Sequence, residues 1–174
     1  MQRNMILACL LAVLSGLLYL NFSHRVYCNL FTHSLPYGFY IQINGVPQRG
    51  DYAATCLTRE IAQYGIARGY LAQGNCETGT VRVLKIIKGV PGDRYALNNG
   101  ALELNRHAYR IKDKDTLARP LRVFYQQSQG RVERGYYFLL SDFVDNSWDS
   151  RYWGPVRVQF LLKPLWVFEK YPIQ

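Results

Sequence analysis

Val81 to Asp93 reads V-R-V-L-K-I-I-K-G-V-P-G-D, a β-branched run with two lysines that ends in a turn built on Gly89, Pro91 and Gly92. The run predicts a strand, in which side chains alternate between two faces. Val81, Val83, Lys85 and Ile87 then share one face, and Arg82, Leu84, Ile86 and Lys88 share the other. Lys85 is the only charge on its face. Lys88 shares its face with Arg82 and is expected to look into water. Desolvation penalises an ammonium group, so burial lowers a lysine pKa. Bringing it from ~10.4 to near 7 takes roughly 4–5 kcal/mol, which only deep burial supplies. Most strand lysines are structural and snorkel to solvent.

The 174 residues fit one domain with a sizeable core plus a terminal extra. An apolar fraction of 49% argues against disorder. Fourteen tyrosines, eight phenylalanines and many β-branched residues argue for strands. The net charge of +9 admits nucleic acid, anionic lipid or an acidic partner. The cations are spread along the chain, and no zinc-finger or RNA-binding signature occurs, which argues against nucleic acid.

Met5 to Leu20 carries no charge, and Phe22 extends the run. This is at the short end for a membrane span and long for a signal-peptide core. Arg3 precedes the run and His24 and Arg25 follow it, so charge bias barely sets orientation. Residues 1–25 are read as an N-terminal anchor, with a cleaved signal sequence as the competitor, and residues 26–174 as an exported β-rich domain. In an oxidising compartment Cys56 and Cys76 could close a loop of about 20 residues, a stabilisation of roughly 3 kcal/mol in the chain-entropy model. Cys28 would then be unpaired; spacing alone does not select this pairing. No C-x-x-C or H-x-x-x-H spacing supports zinc at Cys28, Cys56, Cys76, His24, His33 or His107.

Pro36 and Gly38 predict an irregular, exposed corner at Ser34. A strand is expected over Ile41–Val46, ended by Asn44-Gly45. Thr58–Leu71 has the one helical pattern of the exported part, shortened by Gly69 and Gly74. Further strands are expected at Leu102–Ile111, Arg122–Gln126, Gly135–Ser141, Trp153–Phe160 and Leu165–Phe168. Turns are expected at 98–100, 112–115 and 128–130. Many short strands with regular turns predict an antiparallel sheet or barrel-like body with one short helix.

Residues 141–156 read S-D-F-V-D-N-S-W-D-S-R-Y-W-G-P-V. Composition alone reads this as an Asx-rich turn. Four blocks in order change that reading: S-L-P at Ser34–Pro36, R-G-D at Arg49–Asp51, K-x-x-x-G-V-P-G-D at Lys85–Asp93, and D-x-x-D-N-S-x-D-S-R-x-x-G-x-V at Asp142–Val156. Together they resemble the type I, S26-like signal peptidases that use a Ser-Lys dyad. Among these, the small size, single short anchor, S-L-P-Y-G-F-Y and Y-L-A-Q-G-N-C resemble the conjugative-transfer TraF type.

The resemblance implies a signal-peptidase fold and a serine peptidase at the bacterial inner membrane, its catalytic domain facing the periplasm. Ser34 would be nucleophile and Lys85 general base, a convergent variant of the serine triad. Ser147 would orient the lysine amine. Thr32, where many members carry serine, would add its hydroxyl to an oxyanion hole with the Ser34 N–H. Asp149 and Arg151 would be scaffold, with Asp149 a candidate assistant. No metal or cofactor is implied. The partners implied are a pilin precursor, cleaved and in some members cyclised, and membrane lipid. Substrate would add as an extended strand. Tyr19, Phe22, Tyr37, Phe39 and the tryptophans are expected at the membrane interface. Members often carry a basic residue directly after the lysine; Ile86 stands there, which removes the expected partner of Asp142. Ser141 stands where a glycine is usual. The competing reading is a non-catalytic pilus-assembly scaffold with the same fold. A self-cleaving LexA-type repressor would need a DNA-binding domain where the apolar run lies.

Overall fold

The computed structural model of the protein describes residues 2–22, 26–30, 32–125 and 127–169. His24, Arg25 and Gln126, and the side chain of Phe22, lie outside them. The chain order is α1 (Gln2–Phe22), β1 (Val26–Asn29), β2 (Tyr37–Ile43), β3 (Tyr52–Thr55), α2 (Arg59–Ala67), β4 (Val83–Gly89), β5 (Arg94–Asn98), β6 (Ala101–Leu104), β7 (His107–Arg110), β8 (Gln129–Arg131), β9 (Phe138–Leu140), α3 (Ser150–Trp153) and β10 (Phe160–Glu169). Two antiparallel sheets carry the strands, in the orders β1-β2-β10-β3-β4-β9 and β7-β6-β5-β8. The fold is mostly antiparallel β with few helices, as the strand patterning predicts.

α1 presents Met5, Ile6, Leu7, Leu10, Leu11, Val13 and Leu14 to the outside. Among the described residues no helix is long and apolar enough to cross a membrane.

One core lies under β4, α2 and α3 and contains Ala53, Ile61, Val83, Ile87, Leu139 and Trp153. A second, beneath the small sheet, contains Tyr95, Leu102, Leu104 and Phe138. A third, on the other side of the large sheet, contains Leu35, Tyr40, Ala54, Ile86 and Leu162. Both faces of β4 are therefore covered. Ile86, expected on the watery face, is buried against Leu35.

Several expected boundaries move. Helix α2 starts after Thr58 and stops before Gly69, whose φ of 72° a side-chain-bearing residue rarely adopts. The strand expected over Leu102–Ile111 is a hairpin folded at Asn105, φ 54°. Residues 122–125 are irregular, and Gln129–Arg131, expected as a turn, pairs with β5. Trp153 ends a helix instead of starting a strand. Strand β10 runs ten residues through Pro164, pairing with β2 and β3; its register shifts between Pro164 and Trp166, where a proline costs least. Gly38 is no turn residue. It lies inside β2, where a Cβ would run into the Trp166 carbonyl oxygen. Cys56 and Cys76 form the disulfide, Cα–Cα 5.7 Å, and Cys28 is free and exposed.

Candidate active site

The lysine half of the site is built from regular structure. Lys85 pairs with Ala53 of β3 across the ladder. The residues on either side of it on the same face, Val83 and Ile87, are buried in the first core. Lys85 itself is only 5% exposed. Its amine donates to Ser147 Oγ at 2.9 Å and to Ser34 Oγ. Burial lowers its pKa from 10.5 to about 8; the charge of Asp149 opposes this and that of Arg151 adds to it.

Lys88 is on the opposite face and pairs with Asp142 at 2.5 Å, its side chain 21% exposed. It is half-covered, less open than expected. Asp142 thus finds a cation three residues after Lys85, which answers the absence of a basic residue at Ile86.

The serine half is built from a turn. Asn29, at the end of β1 and 3% exposed, gathers it. Its Nδ2 donates to the carbonyls of Leu35 (2.8 Å), Thr32 (3.0 Å) and Pro36 (3.2 Å). Its Oδ1 accepts from the Thr32 N–H (3.3 Å) and hydroxyl (2.7 Å). Leu35 is buried beside Ile86, which fixes Ser34 above the strand that carries Lys85. The Ser34 carbonyl accepts from Ser141 Oγ at 2.9 Å. Thr32 is held by Asn29, so its hydroxyl has to turn away before it can donate to an oxyanion.

The remaining blocks support this pair. Asp149 is fully buried and accepts from Arg151 Nε (2.8 Å) and Nη2 (2.9 Å), and from Ser141 N–H (3.3 Å). Arg151 in turn donates to the carbonyls of Ser147 (3.0 Å), Asp145 and Arg110 (both 3.1 Å). One buried ion pair thus fixes the backbone of Ser147 and, through Ser141, that of Ser34. Arg49 Nη2 donates to both carboxylate oxygens of Asp93 at 2.7–2.8 Å, tying R-G-D to P-G-D. Gly154 closes the last block at φ 79°, where a Cβ would strike the Tyr125 ring at 2.8 Å.

A cleft of about 620 Å³ opens on Ser34, Lys85 and Ser147, with Tyr70, Leu71 and Trp148 on its far wall. β9 pairs with β4 only over Ile86–Gly89, while β3 pairs with Val83–Ile86. The outer edge of Val83–Lys85 therefore meets no strand and borders the cleft. Among the described residues no group of His, Cys, Asp and Glu is gathered for a metal.

Residues 2–162 match the model of the family described as signal peptidase, peptidase S26. The chain belongs to that signal peptidase family. It is 31% identical over 131 residues to a plasmid transfer protein TraF of Escherichia coli, covering 72% of each chain. It is 31% identical over 133 residues to a probable conjugal transfer protein TraF of Sinorhizobium fredii, covering 72% of this chain and 67% of that one. A solved signal peptidase I from Enterococcus faecalis V583 is similar at 21% identity with a TM-score of 0.38, over 68% of this chain and 98% of that one.

The signal peptidase resemblance selected Ser34, Lys85, Ser147, Asp149 and Arg151, and the structure brings all five together; Thr32 sits on the same turn. It did not select Asn29 or give Ser141 a task. An asparagine just ahead of an irregular segment is the available signal, because its amide readily bonds nearby backbone. Trp148 and Trp153 belong to the interior packing, whereas Trp166 is 65% exposed beside Phe168 and Phe39.

Proposed function

We propose that this signal peptidase family member is a serine endopeptidase that cleaves a pilin precursor in conjugative transfer, working at the periplasmic face of the inner membrane with the N-terminal residues 1–25 holding it there. The observation that carries this reading is the buried Lys85 amine between the hydroxyls of Ser34 and Ser147. The TraF names of the relatives supply the conjugative context.

A lysine lowered to about 8 is neutral in roughly one molecule in ten at pH 7. Its lone pair then accepts the Ser34 proton while one N–H still donates to Ser147. Ser34 Oγ forms a bond to the scissile carbonyl carbon. The lysine ammonium passes its proton to the leaving amine, and the C–N bond breaks. The Ser34 ester is then cleaved by water, or by the amino terminus of the same pilin, which closes a ring. The open edge of Val83–Lys85 suits an added substrate strand, which would carry its carbonyl past Ser34. Trp166, Phe168 and Phe39 would rest at the lipid interface.

The test is intact-mass analysis of the candidate pilin co-expressed with the wild type and with Ser34→Ala. Loss of a terminal segment only with the wild type is expected, and a further loss of one water marks cyclisation. A pilin of unchanged mass would instead favour a non-catalytic scaffold.

A further inference from the structure

The cleft carries more positive charge than the chemistry requires. Apart from Lys85, its lining cations are Arg82, Lys112 and Lys114, and its lining carboxylate is that of Asp115. Asp115 is already engaged. It pairs with Arg119 at 2.7 Å and Arg68 at 3.6 Å and accepts from the Tyr70 hydroxyl at 2.5 Å, leaving its side chain 6% exposed. Arg82 is also occupied, donating to Gln159 at 3.1 Å above the Phe160 ring.

Lys112 and Lys114 are different. None of the ion pairs among the described residues involves either side chain. Their loop is nonetheless held in place. Lys112 N–H donates to the Tyr152 hydroxyl at 3.2 Å, and Leu121 N–H donates to the Asp113 carbonyl at 2.7 Å. Asp115 caps the following turn through the Leu117 and Arg119 N–H groups, both at 2.9 Å. The loop therefore engages Asp115, keeps Asp113 exposed outside the cleft lining, and leaves two lysines from an anchored backbone on the wall of a concave, largely apolar cleft. Such a wall focuses a positive potential on whatever enters.

We propose that Lys112 and Lys114 make this cleft select a peptide segment that carries a carboxylate within a few residues of the cut bond. The carboxylate is an Asp or Glu side chain or a free chain terminus. The inference rests on the peptidase reading for its substrate, but not for its binding test. A peptide fits the site better than a lipid surface does, because the lysines line the same concave cleft as Ser34.

The experiment uses the full chain as Ser34→Ala in detergent micelles, with fluorescein-labelled peptides built on an Ala-Ser-Ala core. A single Glu is moved through the flanking positions and compared with Gln at each, in amidated peptides. A second arm compares a free with an amidated C-terminus. At one or more positions, Glu or the free terminus should tighten binding about 3- to 10-fold at low salt. The preference should fade in 0.5 M NaCl. It should vanish in Lys112→Gln/Lys114→Gln and turn toward Lys-bearing peptides in Lys112→Glu/Lys114→Glu. The arm that responds identifies the source of the carboxylate.

The inference is overturned if Glu and Gln, and acid and amide, bind alike, or if no peptide binds. It is also overturned if the preference survives the double Gln variant while that variant loses binding to phosphatidylglycerol vesicles, which would assign the lysines to lipid. Wild-type cleavage of the same peptides is scored separately. Charge preference without any cleavage would leave this inference standing and remove the peptidase reading.

Discussion

The two halves of the Ser34–Lys85 pair are held by opposite means. Lys85 is fixed by a strand that pairs with β3 over Val83–Ile86 and with β9 over Ile86–Gly89 and is packed on both faces. Ser34 is fixed by a turn whose geometry depends on one buried amide, Asn29, and one hydroxyl, Ser141. The sheet supplies a dry environment for the amine. The turn supplies an adjustable position for the hydroxyl, with the Thr32 hydroxyl parked on Asn29 until something draws it away. Damage to the lysine half should therefore appear in its ionisation and in stability. Damage to the serine half should appear in turnover.

On the proposed mechanism the largest effects come from Ser34 and Lys85. Ser34→Ala and Lys85→Met should each lower kcat by about 10⁴-fold or more, measured by pilin processing in time courses. Their stabilities should diverge. Holding Lys85 at about 8 instead of 10.5 disfavours its charged form by about 3 kcal/mol. Below pH 8 both folded and unfolded chains carry the proton, and the folded state bears the whole penalty. Between 8 and 10.5 the folded state releases the proton first, so wild-type stability rises with pH. Lys85→Met should thus raise the thermal midpoint at pH 7, offset in part by the lost hydroxyl contacts, and the gain should shrink toward pH 10. A midpoint lowered at pH 7 would show that the site does not strain its lysine.

Asp149→Ala comes next. It strands the buried guanidinium of Arg151 and should cost about 3–5 kcal/mol in urea unfolding. Because Arg151 holds the Ser147 carbonyl, activity should fall along with stability. Asn29→Ala separates the halves more cleanly. It should lower kcat by about 100-fold through a misplaced Ser34 while leaving the Lys85 titration unchanged. An Asn29→Ala enzyme with unchanged kcat would mean that the turn holds its shape without the amide. The smallest effect belongs to the outward lysine. Lys88→Ala removes a half-exposed pair with Asp142 and should cost no more than about 1 kcal/mol, read from the same unfolding curves.

The lysine half was legible in the sequence for the reason that makes it rigid. Period-two alternation separates Lys85 from Lys88 wherever a strand is continuous, and the spacing to Gly89 selects the same residue. Asp149 and Arg151 were legible as a motif, but their linkage to Ser147 and Ser141 was not. The disulfide between Cys56 and Cys76 was one open choice among the cysteines. The serine half was harder to read. Nothing periodic marks Asn29, and its partners are carbonyls, which every residue has. Ser141 is in sequence only a departure from the usual glycine, while in the fold its hydroxyl holds the Ser34 carbonyl. The tryptophans misled in a different way. Amphipathic rings suit an interface or a core equally, and Trp148 and Trp153 pack inward, Trp148 against Tyr64 of α2, which lies far away in sequence.

The central claim is that the sheet holds Lys85 as a base that is readily neutral. The direct measurement is an NMR titration of lysine side chains labelled with ¹³C at Cε, in the full chain, with Lys85→Met to assign the resonance. The account predicts one lysine signal with a midpoint near 8, present in Asn29→Ala and absent in Lys85→Met. A Lys85 signal that titrates at the ordinary lysine value of about 10.4 would contradict it.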